Sequence, residues 1–152
     1  MLEIIELPDK VDPPYKLLLS ADPSYLLIKE YLAKDRCFIA RLNDLSIGAL
    51  VIIQQSHTEL EIKNIAVEEK YQGRSYGKQL LQFATDFSKK SGNKKLTICT
   101  GNSSINQLAL YQKMEFEIER IDKDFFLKNY SNTIFENGIQ CKHLLILSLE
   151  PI

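Results

Sequence analysis

The stretch Leu60–Gln82, LEIKNIAVEEKYQGRSYGKQLLQ, decides the fold, because it passes from a strand through a glycine-bearing turn into a helix. The run Val51–Val67 is apolar and β-branched. It alternates at Leu60 and Ile62 and, less cleanly, at Ile65 and Val67, so its second half reads as a strand. The period then changes. Tyr76, Leu80, Leu81, Phe83, Ala84 and Phe87 recur at helical spacing among polar residues, which predicts an amphipathic helix from about Ser75 to Lys90. Between the two lies Gln72-Gly73-Arg74-Ser75-Tyr76-Gly77. A helix that starts in such a turn presents free backbone N–H groups and the positive end of its dipole, the ingredients of a phosphate site. An ordinary βα connection, with Gly73 and Gly77 serving turn geometry and close packing, fits the same residues. The dinucleotide and Walker patterns are excluded by spacing, since neither G-x-G-x-x-G nor G-x-x-x-x-G-K-[ST] occurs.

Downstream, Ser91-Gly92-Asn93 stops the helix, and Lys94–Thr100, KKLTICT, is a short buried strand. A helix separates it from the Leu60 strand, so the two are expected to be parallel. Gly101–Glu117, GNSSINQLALYQKMEFE, predicts a second helix capped by Asn102 or Ser103, with Ile105, Leu108, Ala109, Tyr111 and Met114 on its apolar face. Asp122–Gly138, with Phe125, Phe126, Tyr130 and Phe135, is too long for a tight hairpin and reads as a short helix and loop. Ile139–Leu149 reads as the closing strand. Upstream, Met1–Glu6 is an edge strand ended by Pro8, Pro13 and Pro14. Tyr15–Ser20 is a turn of helix. A longer helix follows, with Asp22 as N-cap and Pro23 at its first position. Arg36–Leu42 and Ser46–Gln55 are strands joined by Asn43-Asp44, and His57-Thr58 turns the chain into the Thr58–Val67 strand.

Composition narrows the function. At 152 residues, 45% hydrophobic and 26% charged, the chain suits one domain, expected to span 1–152. A net charge of −1 argues against nucleic acid as the partner. Cys37, Cys99 and Cys141 lie far apart in apolar runs and read as free thiols in a reducing compartment. His57 and His143 are too few for a metal site, so no metal is expected. The opening MLEIIELPDKVDPP is acidic and proline-bearing where a signal peptide would be basic and then apolar. No stretch approaches the ~20 apolar residues of a membrane span. A cytoplasmic protein with no membrane partner is expected.

Two motifs resemble those of the GNAT superfamily of acetyl-CoA-dependent N-acetyltransferases. The pattern V-x-x-x-x-Q-x-x-G-x-G is matched at Val67, Gln72 and Gly77, with the frequent Gly73-Arg74 pair, and departs at Ser75, where that family usually has glycine. The element N-x-x-(x)-L-x-L-Y-x-K-x-G-F is matched at Leu110-Tyr111, Lys113 and Phe116, with Glu115 in place of its glycine. The resemblance implies an α/β (α+β) fold. Its mixed, mostly antiparallel sheet has about six to seven strands, helices on both faces, and one parallel pair that splays at the cofactor site.

It also implies transfer of an acetyl group from acetyl-CoA to a primary amine of a small molecule or peptide in a ternary complex. Gln72, Gly73, Arg74, Ser75, Tyr76, Gly77 and Lys78 would surround the donor pyrophosphate. Ile65, Ala66 and Val67 would pair with its pantetheine arm, beside Asn106 or Asn102. Glu61, six residues before Val67, would be the base, with Glu59 as alternative. The Ile65 N–H would serve the oxyanion and Tyr111 would be the acid. Phe126, Tyr130, Phe135 and Glu136 would form the acceptor pocket. Lys89, Lys90, Lys94 and Lys95 read as a solvated surface or as contacts for a nucleotide 3′-phosphate. A homodimer is one expected assembly. An acyl-CoA-binding sensor without catalysis, or transfer of a longer acyl group, are the alternative readings.

Overall fold

Apolar residues at period two followed by apolar residues at helical spacing force sheet and helix to share one core, and the computed structural model, which describes residues 1–151, shows how. In chain order the elements are β1 (Leu2–Glu6), α1 (Tyr15–Ala21), α2 (Tyr25–Leu32), β2 (Arg36–Leu42), β3 (Leu45–Ser56), β4 (Glu59–Val67), a 3-10 turn (Glu69–Tyr71), α3 (Tyr76–Lys90), β5 (Lys95–Gly101), α4 (Ile105–Lys113), β6 (Glu117–Asp122), α5 (Phe125–Asn129), β7 (Phe135–Glu136), β8 (Ile139–Gln140) and β9 (Leu144–Leu149). Seven strands form one sheet in the order β1-β2-β3-β4-β5-β9-β6, and β7 and β8 pair separately. β4 and β5 are parallel, from Glu59 opposite Lys95 to Ile62 opposite Ile98. All other pairs in the large sheet are antiparallel. This is the mixed sheet that the resemblance implies.

Both faces are covered. On one, Leu80, Leu81 and Ala84 of α3 and Tyr111 of α4 pack on Phe38, Leu50, Ile52, Leu60, Ile62, Ile98 and Leu147. On the other, Leu18 of α1 and Ile28 and Tyr31 of α2 pack on Cys37, Ile39, Ala49 and Val51. β3, third in the sheet, is buried over Ile47–Ile52. Asn43 and Asp44 take the left-handed φ values of 50° and 67° that a two-residue hairpin demands.

The uneven alternation in β4 has a structural cause. Ile62 pairs with Ile52 and Asn64 with Val51, which leaves Lys63 as the extra residue of a β-bulge. Side chains before and after it keep different phases, so Leu60, Ile62, Ile65 and Val67 all join the α3 side of the core. Asn64 reaches the other face, where it bonds Leu18 and Tyr31. Pairing with β5 ends at Ile62, one residue before the bulge, and the strands separate there.

Several sequence expectations need correction. α2 is capped by Ser24, whose hydroxyl accepts from Leu27 N at 3.2 Å, while Asp22 and Pro23 belong to the turn before it. The aspartate serves that turn by accepting from Ser24 N at 3.1 Å. Neither Asn102 nor Ser103 caps α4, which starts after Ser104 with no side-chain cap. Ser75 precedes α3 without a capping bond, because its φ of 69° is left-handed. Ile139–Leu149 is not one strand: Asn137 and Gly138, at φ 55° and 73°, fold β8 back on β7, and the sheet strand begins only at Leu144.

Candidate active site

The end of β4, the turn after it and the first turn of α3 border a cavity of about 540 Å³. Of the residues expected to hold the donor, Ile65, Ala66, Val67, Gln72, Gly73, Ser75, Tyr76, Gly77, Lys78, Asn106 and Tyr111 line it. The backbone explains its character. Gly73 and Ser75 are left-handed, at φ 77° and 69°, and the first helical bond runs only from Gln79 N to Ser75 O, at 3.1 Å. Among the described residues the N–H groups of residues 73–78 therefore find no acceptor, so several donors converge at the positive end of a fifteen-residue helix. A methyl group on Gly77 would make only an ordinary contact, 3.5 Å from Leu110 Cδ2, so packing within the chain does not demand the glycine. The arrangement fits a diphosphate.

Two expected donor residues are placed elsewhere. Arg74 does not line the cavity; its guanidinium lies 5.8 Å from the Tyr71 ring centroid. Asn102 is committed to structure: its Nδ2 donates to Gln140 O at 3.1 Å, and its Oδ1 accepts from Lys142 N and His143 N at 2.8 and 2.9 Å. It thereby fixes the irregular segment between β8 and β9. Gln72 lines the cavity, but its amide donates to Val67 O at 2.9 Å and so ties the turn to the strand.

A second cavity, of about 450 Å³, is lined by residues of both β4 and β5 where the two strands separate. The end of α1 and the start of α2, β4, β5, α5 and the β7–β8 hairpin all contribute to it. Glu61, Phe126, Tyr130 and Glu136 line it, whereas Phe135 is turned outward and 64% exposed, and Glu59 lies outside. Residues that sequence reasoning had not assigned are Asp22, Asn64, Cys99 and Gln107. A polar asparagine between Lys63 and Ile65 in an otherwise apolar strand was the available signal for one of them. Tyr130 donates its hydroxyl to Asp22 Oδ1 at 2.9 Å, which closes one wall between segments 108 residues apart.

The two cavities share Ser20, Ala21, Ile65, Gln107 and Tyr111. Tyr111 is 4% exposed, and its hydroxyl bonds to no described residue. Burial, with Cys99 nearby, pushes its phenol well up, so it stays protonated at neutral pH. Glu61 is not the exposed strand glutamate that its position could have made it. Its Oε1 accepts from Gln55 Nε2, and its Oε2 accepts from Cys99 Sγ at 3.8 Å. Burial first, and then the Glu61 charge, push the Cys99 thiol up to about 12. Cys99 is thus a thiol rather than a thiolate at neutral pH, which disqualifies it as a resting nucleophile. Among the described residues no group of three or more His, Cys, Asp or Glu could hold a metal ion, and no helix is long and apolar enough to cross a membrane.

Comparison with known proteins places this geometry in context. The sequence model of the family described as "Acetyltransferase (GNAT) family" matches residues 5–116. The Bacillus subtilis (strain 168) protein described as "Uncharacterized N-acetyltransferase YvbK" is 47% identical over 139 residues, which is 91% of this chain and 90% of the relative. A GNAT family acetyltransferase from Elizabethkingia anophelis, solved with acetyl-CoA bound, superposes with a TM-score of 0.96 at 44% identity, covering 98% of this chain and 97% of its own. An acetyltransferase from Bacillus subtilis in complex with CoA gives a TM-score of 0.93 at 44% identity, with 100% of both chains covered.

Proposed function

Because the chain belongs to the GNAT family of acetyltransferases, we propose that it moves an acetyl group from acetyl-CoA to a primary amine of a small molecule or peptide, by direct attack with both substrates bound. One observation carries this reading. A cavity edged by free amides and a cavity edged by carboxylates meet at Ile65 and Tyr111.

Acetyl-CoA, when bound, supplies an activated acyl carbon and a thiolate leaving group. The chain supplies the rest. The amides of residues 73–78 and the Lys78 ammonium hold the pyrophosphate, with the α3 dipole adding ~0.3–1 kcal/mol. The strand end at Ile65–Val67, free of β5, takes the pantetheine arm, with Asn106 as its side-chain partner.

Attack needs a neutral amine. A lysine-type amine of pKa ~10.4 is unprotonated in about 1 of 2,500 molecules at pH 7, an α-amino group of ~7.8 in about 1 of 7. Glu61 accepts the proton, directly or through a water, which matters most for the first kind of acceptor. The Ile65 N–H donates to the carbonyl oxygen as charge builds there. Tyr111 gives its proton to the departing sulfur as the C–S bond breaks, and the proton that the attacking nitrogen loses as the amide forms restores it through solvent.

In water that last transfer runs uphill, from a phenol of ~10 to a thiolate whose thiol has ~8.5. Tyr111 itself is buried. Burial raises the Tyr111 phenol further, so the proton moves only as the C–S bond breaks. The free thiols Cys37, Cys99 and Cys141 support a reducing, cytoplasmic setting.

Saturating acetyl-CoA is expected to raise the melting temperature. Thiol release is then expected on a panel of polyamines, aminoglycosides, amino acids and peptide N-termini. Tyr111→Phe is expected to lower turnover about 100-fold while CoA affinity stays nearly intact. Unchanged turnover would remove Tyr111 from the mechanism. Donor binding with no thiol release from any amine would make the protein an acyl-CoA-binding sensor.

A further inference from the structure

Resting on the acetyltransferase reading, we propose that the acceptor is an amine with a second cationic group, a diamine or oligoamine held between Glu61 at the reacting end of the acceptor cavity and Glu136 at its other end. The charged side chains lining this cavity are Asp22, Glu61, Glu136 and Lys63, and the lysine is partly neutralised, 3.9 Å from Glu61 Oε2. The donor cavity carries the opposite sign, with Lys78 as its charged side chain. A positively charged guest is therefore favoured on one side of Tyr111 and a negatively charged one on the other.

Glu136 is a built feature. The hydroxyls of Ser103 and Ser104, which are 0% and 7% exposed, donate to its Oε1 at 3.2 and 2.9 Å. Among the described residues its other oxygen accepts no hydrogen bond, and no lysine or arginine pairs with it. Two buried hydroxyls fix the carboxylate in place before any guest arrives, so little ordering cost remains for binding.

One wall of the cavity is held by an asparagine. Asn64, 4% exposed, lines this cavity. Its Nδ2 donates to Leu18 O at 3.0 Å and to the Tyr31 hydroxyl at 2.8 Å. A backbone carbonyl can only accept, so the amide cannot be turned around, and Oδ1 is left buried with no donor.

The spacing suits an extended guest. Glu61 meets Cys99 on β5, and Ser103 and Ser104, which hold Glu136, come after β5 and Asn102, so the two carboxylates occupy different parts of the cavity wall. Phe126 and Tyr130 line the same cavity and present apolar surface and ring faces to methylenes and cations.

The test compares putrescine, n-butylamine and γ-aminobutyrate as acceptors with acetyl-CoA. We expect kcat/KM for putrescine to exceed that for n-butylamine about 10-fold or more, and γ-aminobutyrate to fall below both. Glu136→Gln is expected to bring the putrescine-to-butylamine ratio close to one, and Glu136→Asp to retain part of it. Because the ratio is taken within one preparation, it does not depend on how much of a variant folds. Equal rates for putrescine and butylamine in the wild type, or an unaltered ratio in Glu136→Gln, would overturn the inference and leave the acetyltransferase reading standing. Thermal protection by acetyl-CoA with no release from putrescine would likewise overturn it. No protection at all would overturn the acetyltransferase reading and the inference together.

Discussion

Ser75 and Glu115 stand where the GNAT patterns carry glycine, and both adopt left-handed backbone, with φ of 69° and 74°. A side chain in that region costs roughly 1 kcal/mol relative to glycine. Ser75→Gly and Glu115→Gly are each expected to stabilise the protein by up to ~1 kcal/mol, less what glycine adds to the entropy of the unfolded chain. Urea midpoints measure this, and a lower midpoint in both variants would refute it. Only Ser75 borders the donor cavity, so only Ser75→Gly is expected to tighten CoA as well. The substitutions are legible in the sequence as departures from a pattern, whereas the conformation that gives them meaning is not. Asn64 is the reverse case. Its polarity in an apolar strand is visible at once, but its unpartnered Oδ1 depends on Leu18 and Tyr31, which no local pattern connects to it.

Among the elements, those whose bonds are local could be read. The α3 stop at Ser91-Gly92-Asn93 is a Schellman arrangement, with Asn93 N on Ser88 O at 3.0 Å and Gly92 N on Lys89 O at 3.1 Å. The slip from Ile62 to Ile65 was already the β4 bulge. Asn137-Gly138 was a strong hairpin signal that the surrounding aromatic residues obscured. The start of α4 was misread because Asn102 resembles a cap but bonds forward to residues 140–143, some 40 positions on. Two variants separate the asparagines. Asn102→Ala is expected to destabilise by about 1–3 kcal/mol, because buried partners lose their bonds, with CoA affinity nearly unchanged. Asn106→Ala is expected to weaken CoA with little change in stability. Chemical denaturation and calorimetric titration of CoA would measure the two effects, and the opposite assignment would place Asn102 on the pantetheine.

At the scale of the whole molecule, helices on both faces were implied by the family resemblance, whereas the β2-β3-β4 hairpins and the parallel β4–β5 pair follow from period and connection length and were legible. The acceptor cavity was not, since α1, α2, α5 and the β7–β8 hairpin meet there only through tertiary contacts such as Tyr130 with Asp22. Burial of that interior has a titration consequence. It raises Cys37 to about 11 and Cys99 to about 12, and it raises Cys141, Tyr31, Tyr111 and Tyr130 as well. In the unfolded chain these groups ionise near their ordinary values of 9.0 for thiols and 10.0 for phenols. Above pH 9 the unfolded chain has therefore lost protons that the folded chain keeps, and stability must fall as pH rises. The loss reaches up to ~1.4 kcal/mol per pH unit for each such group. Denaturation midpoints from pH 7 to pH 10.5 should be level at first and then drop; a level profile throughout would show that these groups are not buried as described.

The Lys63 bulge acts as a reading frame for β4. Its exposed side chain has little to do with where its neighbours point; its presence as one more residue does. Pairing residue 63 regularly in the ladder, with no bulge, would exchange the faces of everything that follows, carrying Asn64 to the side now held by Ile65 and Val67. Ile65 would leave the junction it now shares with Tyr111. What the strand depends on at this position is that the bulge is kept, and not which side chain occupies it.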